Sequence, residues 1–116
     1  MLIFDYKKKI GLTQTISTCV VESAEMLDSK LIVAATVSGF TARKISNLKP
    51  TCPILATCPN EDVCRSLSLN YGVYTTRVPV LETTDDVISQ SLEKAKEFIE
   101  LEKGDTVIIT GGFPNT

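Results

Sequence analysis

The 116-residue sequence contains no histidine. That absence removes Ser-His and Cys-His nucleophile pairs, an HExxH zinc site, and any mixed Cys/His metal centre. The phosphate-loop signature GxxxxGK[ST] is missing too. No apolar stretch has the length needed to span a bilayer. The start, MLIFDYKKK, places its apolar residues before its charges, the reverse of a secretory signal. Lys7-Lys8-Lys9 is the only basic run, and the formal net charge is -2. A non-specific nucleic-acid binder needs clustered Lys and Arg to neutralise phosphates, so that class is not expected. The expectation is a cytoplasmic protein with no membrane and no nucleic-acid partner. The four cysteines, Cys19, Cys52, Cys58 and Cys64, form no CxxC pair. They are expected as free thiols in a reducing compartment.

Hydrophobic residues make up 43% of the chain and charged residues 22%, which suits one globular domain of this length. Residues 1–12 show no clear period and read as an N-terminal arm or linker, with the domain over 13–116. Leu31 to Val37 is a short apolar run rich in β-branched residues, as a strand buried on both faces requires. Three further strands are predicted over 53–58, 73–80 and 106–110. The third alternates with polar residues, as an edge strand with one wet face does.

Helices are predicted between the strands. Thr13 or Thr15 would cap the first, whose stripe is Ile16, Cys19, Val20, Ser23, Ala24 and Leu27. Thr41 to Leu48 is the second, and residue 60 or 61 to about Leu69 the third. The fourth opens at Thr83 or Thr84, with a buried stripe of Val87, Ile88, Leu92, Ala95, Phe98 and Ile99. Strict alternation of helix and strand gives a three-layer α/β/α fold with a mainly parallel sheet.

Carboxylate chemistry finds little support. Asp85-Asp86 and Glu61-Asp62 each fall where a helix's first turn wants negative charge, and capping explains them. A phosphoacceptor Asp at a strand's carboxyl end is absent, since Thr36 and Thr110 stand there. No catalytic residue and no metal ligand is predicted in this chain.

Anion binding is better supported. Ser38-Gly39-Phe40-Thr41 joins the first strand to the second helix, so several backbone N–H groups and the helix dipole converge at one point. In open α/β sheets ligands gather where the strand order reverses. With the order 3-2-1-4, that loop meets Gly111-Gly112-Phe113. Thr36, Ser38 and Thr41 supply hydroxyls. The same glycines would also serve tight turns alone, and the residues by themselves do not choose. Replacing Gly39, or Ser38 and Thr41, is expected to weaken anion binding more than stability, the loop being expected outside the core.

The run from Ala24 to Tyr74 and the segment KGDTVIITGGFP resemble the C-terminal domain of pyruvate kinases, over about Thr15 to Pro114. Its markers are Ala24, TVSGFTAR at Thr36 to Arg43, Lys49-Pro50, Pro53-Ile54, Tyr71-Gly72-Val73 and Gly104-Asp105. The resemblance implies a five-stranded sheet in the order above, its antiparallel fifth strand falling beyond this sequence. It implies an effector phosphate site at Thr36, Val37, Ser38, Gly39, Phe40 and Thr41, covered by the loop from Gly112 onward. Some members that take a bisphosphate carry a lysine at the position of Val37 and an arginine near Val87, so a single phosphate is expected here. Magnesium and potassium are implied for the parent enzyme's catalytic barrel and no cofactor for this chain. The implied partners are a phosphorylated small-molecule effector, the catalytic domain, and further copies in a homo-oligomer. A free-standing domain binding a phosphorylated metabolite in a separate role is the alternative. A scaffold retaining only subunit contacts is a third.

Overall fold

The structure, a computed structural model, describes residues 9–111. Its elements alternate: α1 (Lys9–Met26), β1 (Leu31–Ala35), α2 (Phe40–Asn47), β2 (Ile54–Cys58), α3 (Glu61–Leu67), β3 (Val73–Arg77), α4 (Thr84–Phe98) and β4 (Val107–Gly111). The four strands form one sheet in the order β3-β2-β1-β4, every pair parallel. This is the predicted α/β fold and strand order.

Alternation along the strands sorts the core into two layers. Ile32, Ala34, Ile54, Ala56 and Val73 face the side that carries Val20, Val21 and Ala24 of α1, Ala42 and Ile45 of α2, and Leu67 of α3. Leu31, Val33 and Leu55 face the other side, where α4 contributes Ala95. Ile99, Leu101, Val107 and Ile109 close that layer from its rim. The central strand is buried along Leu31 to Ala34. Each large aliphatic side chain fully removed from water there contributes about 1.5–3 kcal/mol.

Several boundaries and faces differ from the sequence reading. Helix α1 already runs at Lys9, ahead of both threonines expected to cap it. It buries Ser17, Val20, Val21 and Ala24, while Leu27 is exposed. The helix stops at Met26, Asp28 turns left-handed at φ 50°, and the Ser29 amide bonds the Ala24 carbonyl, so Leu27 leaves the stripe. On α4 the buried positions are Ser91 and Ala95, whereas Ile88, Leu92 and Phe98 are exposed. Among the described residues one helix covers this side of the sheet, and small residues let its backbone approach Leu31 and Val33 closely. Its larger side chains fall to the flanks, where Phe98 meets Tyr74 with ring centroids 5.1 Å apart.

Not all the cysteines are free. Cys58, the last residue of β2, is joined to Cys64 in α3 by a disulfide, with Cα atoms 6.0 Å apart. The sharp turn at Pro59-Asn60 brings strand end and helix together, a proximity that six-residue spacing alone does not announce. Cys19 and Cys52 are free and half-buried.

Candidate functional site

The carboxyl ends of the strands meet the segment Thr36 to Thr41, where β1 passes into α2. The strand stops at Ala35, two residues earlier than its apolar run suggests. Thr36 is buried, donates its amide to the Thr57 carbonyl at 2.9 Å, and accepts the Gly39 amide on Oγ1 at 2.8 Å. That second bond folds the next three residues into a tight turn and pushes Val37 outward. Gly39 then stands at φ 87° and ψ -1°, left-handed backbone that a residue with a side chain rarely adopts. Its carbonyl accepts the Arg43 amide at 3.0 Å, the first helical bond of α2.

The start of α2 differs chemically from those of α3 and α4. Asn60 caps α3 through the Asp62 and Val63 amides, and Thr83 caps α4 through the Asp86 amide. Both helices carry two acidic residues in the first turn. Helix α2 has no acidic first-turn residue, and its N-cap, Gly39, offers no side chain. Ser38 Oγ accepts the Phe40 amide at 3.3 Å. The following amides, at Thr41 and Ala42, are among those that no helix satisfies internally. An anion seated there would meet aligned donors and the positive end of the dipole.

Arg43 and Lys44 add positive charge. The Arg43 guanidinium donates to the Ser38 carbonyl at 3.4 Å and to Ser66 Oγ of α3 at 3.1 Å. Lys44 Nζ lies 5.4 Å from the centre of the Phe40 ring. Neither cation enters an ion pair among the described residues.

The expected site residues Thr36, Val37, Ser38, Gly39, Phe40 and Thr41 thus lie on one continuous turn. Val37, Ser38 and Phe40 are exposed, Thr41 is half-buried, and Thr36 and Gly39 are buried. Gly112 lies outside the described residues. Its neighbour Gly111 pairs with Ala35 in the β1–β4 ladder, so β4 does end beside this turn. Gly39 is not outside the core. A Cβ placed on it would stand 3.0 Å from Leu67 Cδ2, and Leu67 is fully buried. Sequence reasoning missed Arg43, Ser66 and Leu67 as the loop's supports. Arg43 follows Gly39 by one helical turn, a spacing that brings it back to the loop. Ser66 and Leu67 come from another βα unit and carry no local signal.

Among the described residues, no group of three or more His, Cys, Asp or Glu side chains gathers as a metal site. None of the described helices is long and apolar enough to cross a membrane.

Comparison with known proteins gives a consistent result. The family model described as pyruvate kinase, alpha/beta domain, matches residues 14–116. Pyruvate kinase of Clostridium perfringens is 41% identical over 95 residues, covering 82% of this chain and 20% of that protein. Pyruvate kinase of Lactococcus lactis is 40% identical over 106 residues, 91% of this chain and 21% of the relative. A crystal structure of a pyruvate kinase from Cryptosporidium parvum superposes with a TM-score of 0.81 at 35% identity. It covers 91% of this chain and 21% of its own. The chain therefore spans about one fifth of the length of these relatives.

Proposed function

The chain belongs to the pyruvate kinase family, as its α/β domain, and on that premise we propose that the turn from Thr36 to Thr41 binds the phosphate of a phosphorylated small-molecule effector. The domain is then a regulatory binding module. It serves an enzyme that transfers phosphoryl from phosphoenolpyruvate to ADP in glycolysis, with magnesium and potassium held in the catalytic barrel. In that setting its partners are the catalytic domain and further copies of itself in a homo-oligomer.

One observation carries the reading: α2 begins with neither a side-chain cap nor an acidic residue, where α3 and α4 have both. Phosphate would take the donors that Asn60 and Thr83 occupy elsewhere. The absence of any basic residue over 81–93 favours one phosphate rather than two at opposite ends of a ligand.

Thermal unfolding of the purified chain with inorganic phosphate, sugar monophosphates and nucleotides tests this. A ligand that binds only the folded state raises the midpoint by mass action, worth about 2.7 kcal/mol at a hundredfold excess over Kd. The expected result is a rise with at least one phosphate ester that is lost when Ser38 and Thr41 are both replaced by alanine. No rise with any of them refutes the phosphate site.

A further inference from the structure

We propose that the Cys58–Cys64 disulfide is a reversible redox latch that sets the affinity of the 36–41 turn by fixing α3 behind it. The inference rests on the phosphate reading of that turn and adds its regulation.

Three nearby positions of α3 link the bond to the turn. Cys64 is cross-linked to the end of β2, one residue beyond Thr57, whose carbonyl holds the Thr36 amide. Ser66 accepts the Arg43 guanidinium, which also reaches the Ser38 carbonyl. Leu67 lies under Gly39, where a Cβ would stand only 3.0 Å from its Cδ2. Helix α3 is only seven residues long and buries just Cys64 and Leu67. With the disulfide open, only Leu67, the Cys64 thiol and half-buried Val63 anchor it, and short elements with few buried contacts open at low free energy. Movement of α3 removes the floor beneath Gly39 and the partner of Arg43 together.

The chemistry is thiol–disulfide exchange. An external thiolate attacks Sγ of Cys64, the less buried of the two residues, as α3 opens. A mixed disulfide forms, the Cys58–Cys64 bond breaks, and Cys58 leaves as a thiolate that takes a proton. A second external thiolate attacks the external sulfur of the mixed disulfide and releases Cys64. Two external thiols become one disulfide, and the protein gains two electrons and two protons. A low-molecular-weight disulfide reverses each step.

The full chain is prepared oxidised, reduced with dithiothreitol, and reoxidised with oxidised glutathione. Alkylation under denaturing conditions checks each state, with Cys19 and Cys52 alone reactive when the bond is closed. Amide exchange at Gly39 and Arg43 and the Kd of inorganic phosphate are then measured. On reduction the two amides should exchange about thirtyfold faster and phosphate should bind about fivefold more weakly. Both changes should reverse on reoxidation. Cys64→Ser should match the reduced chain, and the double variant C19S/C52S should keep the full redox response. Equal exchange in the two redox states overturns the latch. Faster exchange with no phosphate binding in either state keeps the link between bond and turn but refutes the phosphate site, and with it the regulation of its affinity. If Cys64→Ser does not fold, the comparison within the unmodified chain still decides.

Discussion

Gly39→Ala should destabilise the folded chain by about 2–3 kcal/mol, and the structure divides that sum into two parts. Gly39 sits at φ 87°, and a residue with a Cβ in left-handed backbone is less stable there by about 1–2 kcal/mol. The new Cβ would also stand 3.0 to 3.2 Å from three Leu67 carbons. Leu67 is fully buried and cannot swing into solvent, so the crowding adds roughly 1 kcal/mol, the lower end for overpacking. Urea unfolding measures the total as a fall in midpoint at constant slope. Gly39→Asn separates the parts, because asparagine tolerates left-handed backbone but brings the same Cβ. It should recover much of the backbone part and none of the crowding. A loss below about 0.5 kcal/mol for Gly39→Ala, the range of ordinary surface changes, would refute the placement of the turn against Leu67. Equal losses for Ala and Asn would refute the backbone part alone.

The face of α4 and the environment of Cys52 give two further tests. Leu92→Ser should change stability by no more than about 0.5 kcal/mol, since Leu92 is on the exposed flank, whereas Ala95→Leu should cost about 1–3 kcal/mol by overpacking; a loss above about 2 kcal/mol for Leu92→Ser, as for a core leucine, would restore the stripe read from the sequence. Burial raises the Cys52 thiol above its ordinary value, with the Glu25 carboxylate pushing the same way and a backbone hydrogen bond opposing both. The thiolate fraction at a given pH is therefore smaller in the folded state, and the Cys52 alkylation profile should lie at higher pH in folded than in urea-unfolded chain. The associated stability is present below the unfolded thiol's pKa and is lost as pH rises through the folded one. A folded profile at or below the unfolded one would contradict the assignment.

The sheet was legible because its information is local. A strand buried on both faces must be apolar at consecutive positions, and Leu31 to Ala34 and Ile54 to Ala56 are. The turns between strands and helices carry residues whose conformational needs are their own, such as Gly39, and Asn60 with its cap. Chain direction and right-handed crossovers then leave few orders, and the observed one is among them. Faces were less legible than elements. A helical stripe records which residues are apolar, whereas burial depends on how many neighbours an element has. As the one helix on its side of the sheet among the described residues, α4 turns Ser91 and Ala95 inward and leaves Ile88 and Leu92 at the flank. The same limit applies at the site. The 36–41 turn was visible from its own residues, while its supports, Ser66 and Leu67, lie more than twenty positions away and reach it only through the packing of α3.

Packing of that kind makes the turn only as well defined as α3 itself. A disulfide between residues six apart closes a short loop, and the chain-entropy estimate for so short a loop is about 2 kcal/mol. Applied to global unfolding, the restraint acts on the unfolded chain and says nothing about the turn. Applied to the opening of α3 alone, it restrains the opened segment while the rest of the sheet stays folded. The second case bears on the site, because the restrained segment includes Cys64 and adjoins Ser66 and Leu67. Breaking the bond therefore favours the opened segment by a comparable amount without moving β1 or β2. Strand ends remain fixed, Thr36 keeps its bond to the Thr57 carbonyl, and the loss falls on Gly39 and Arg43, which depend on α3 for their support.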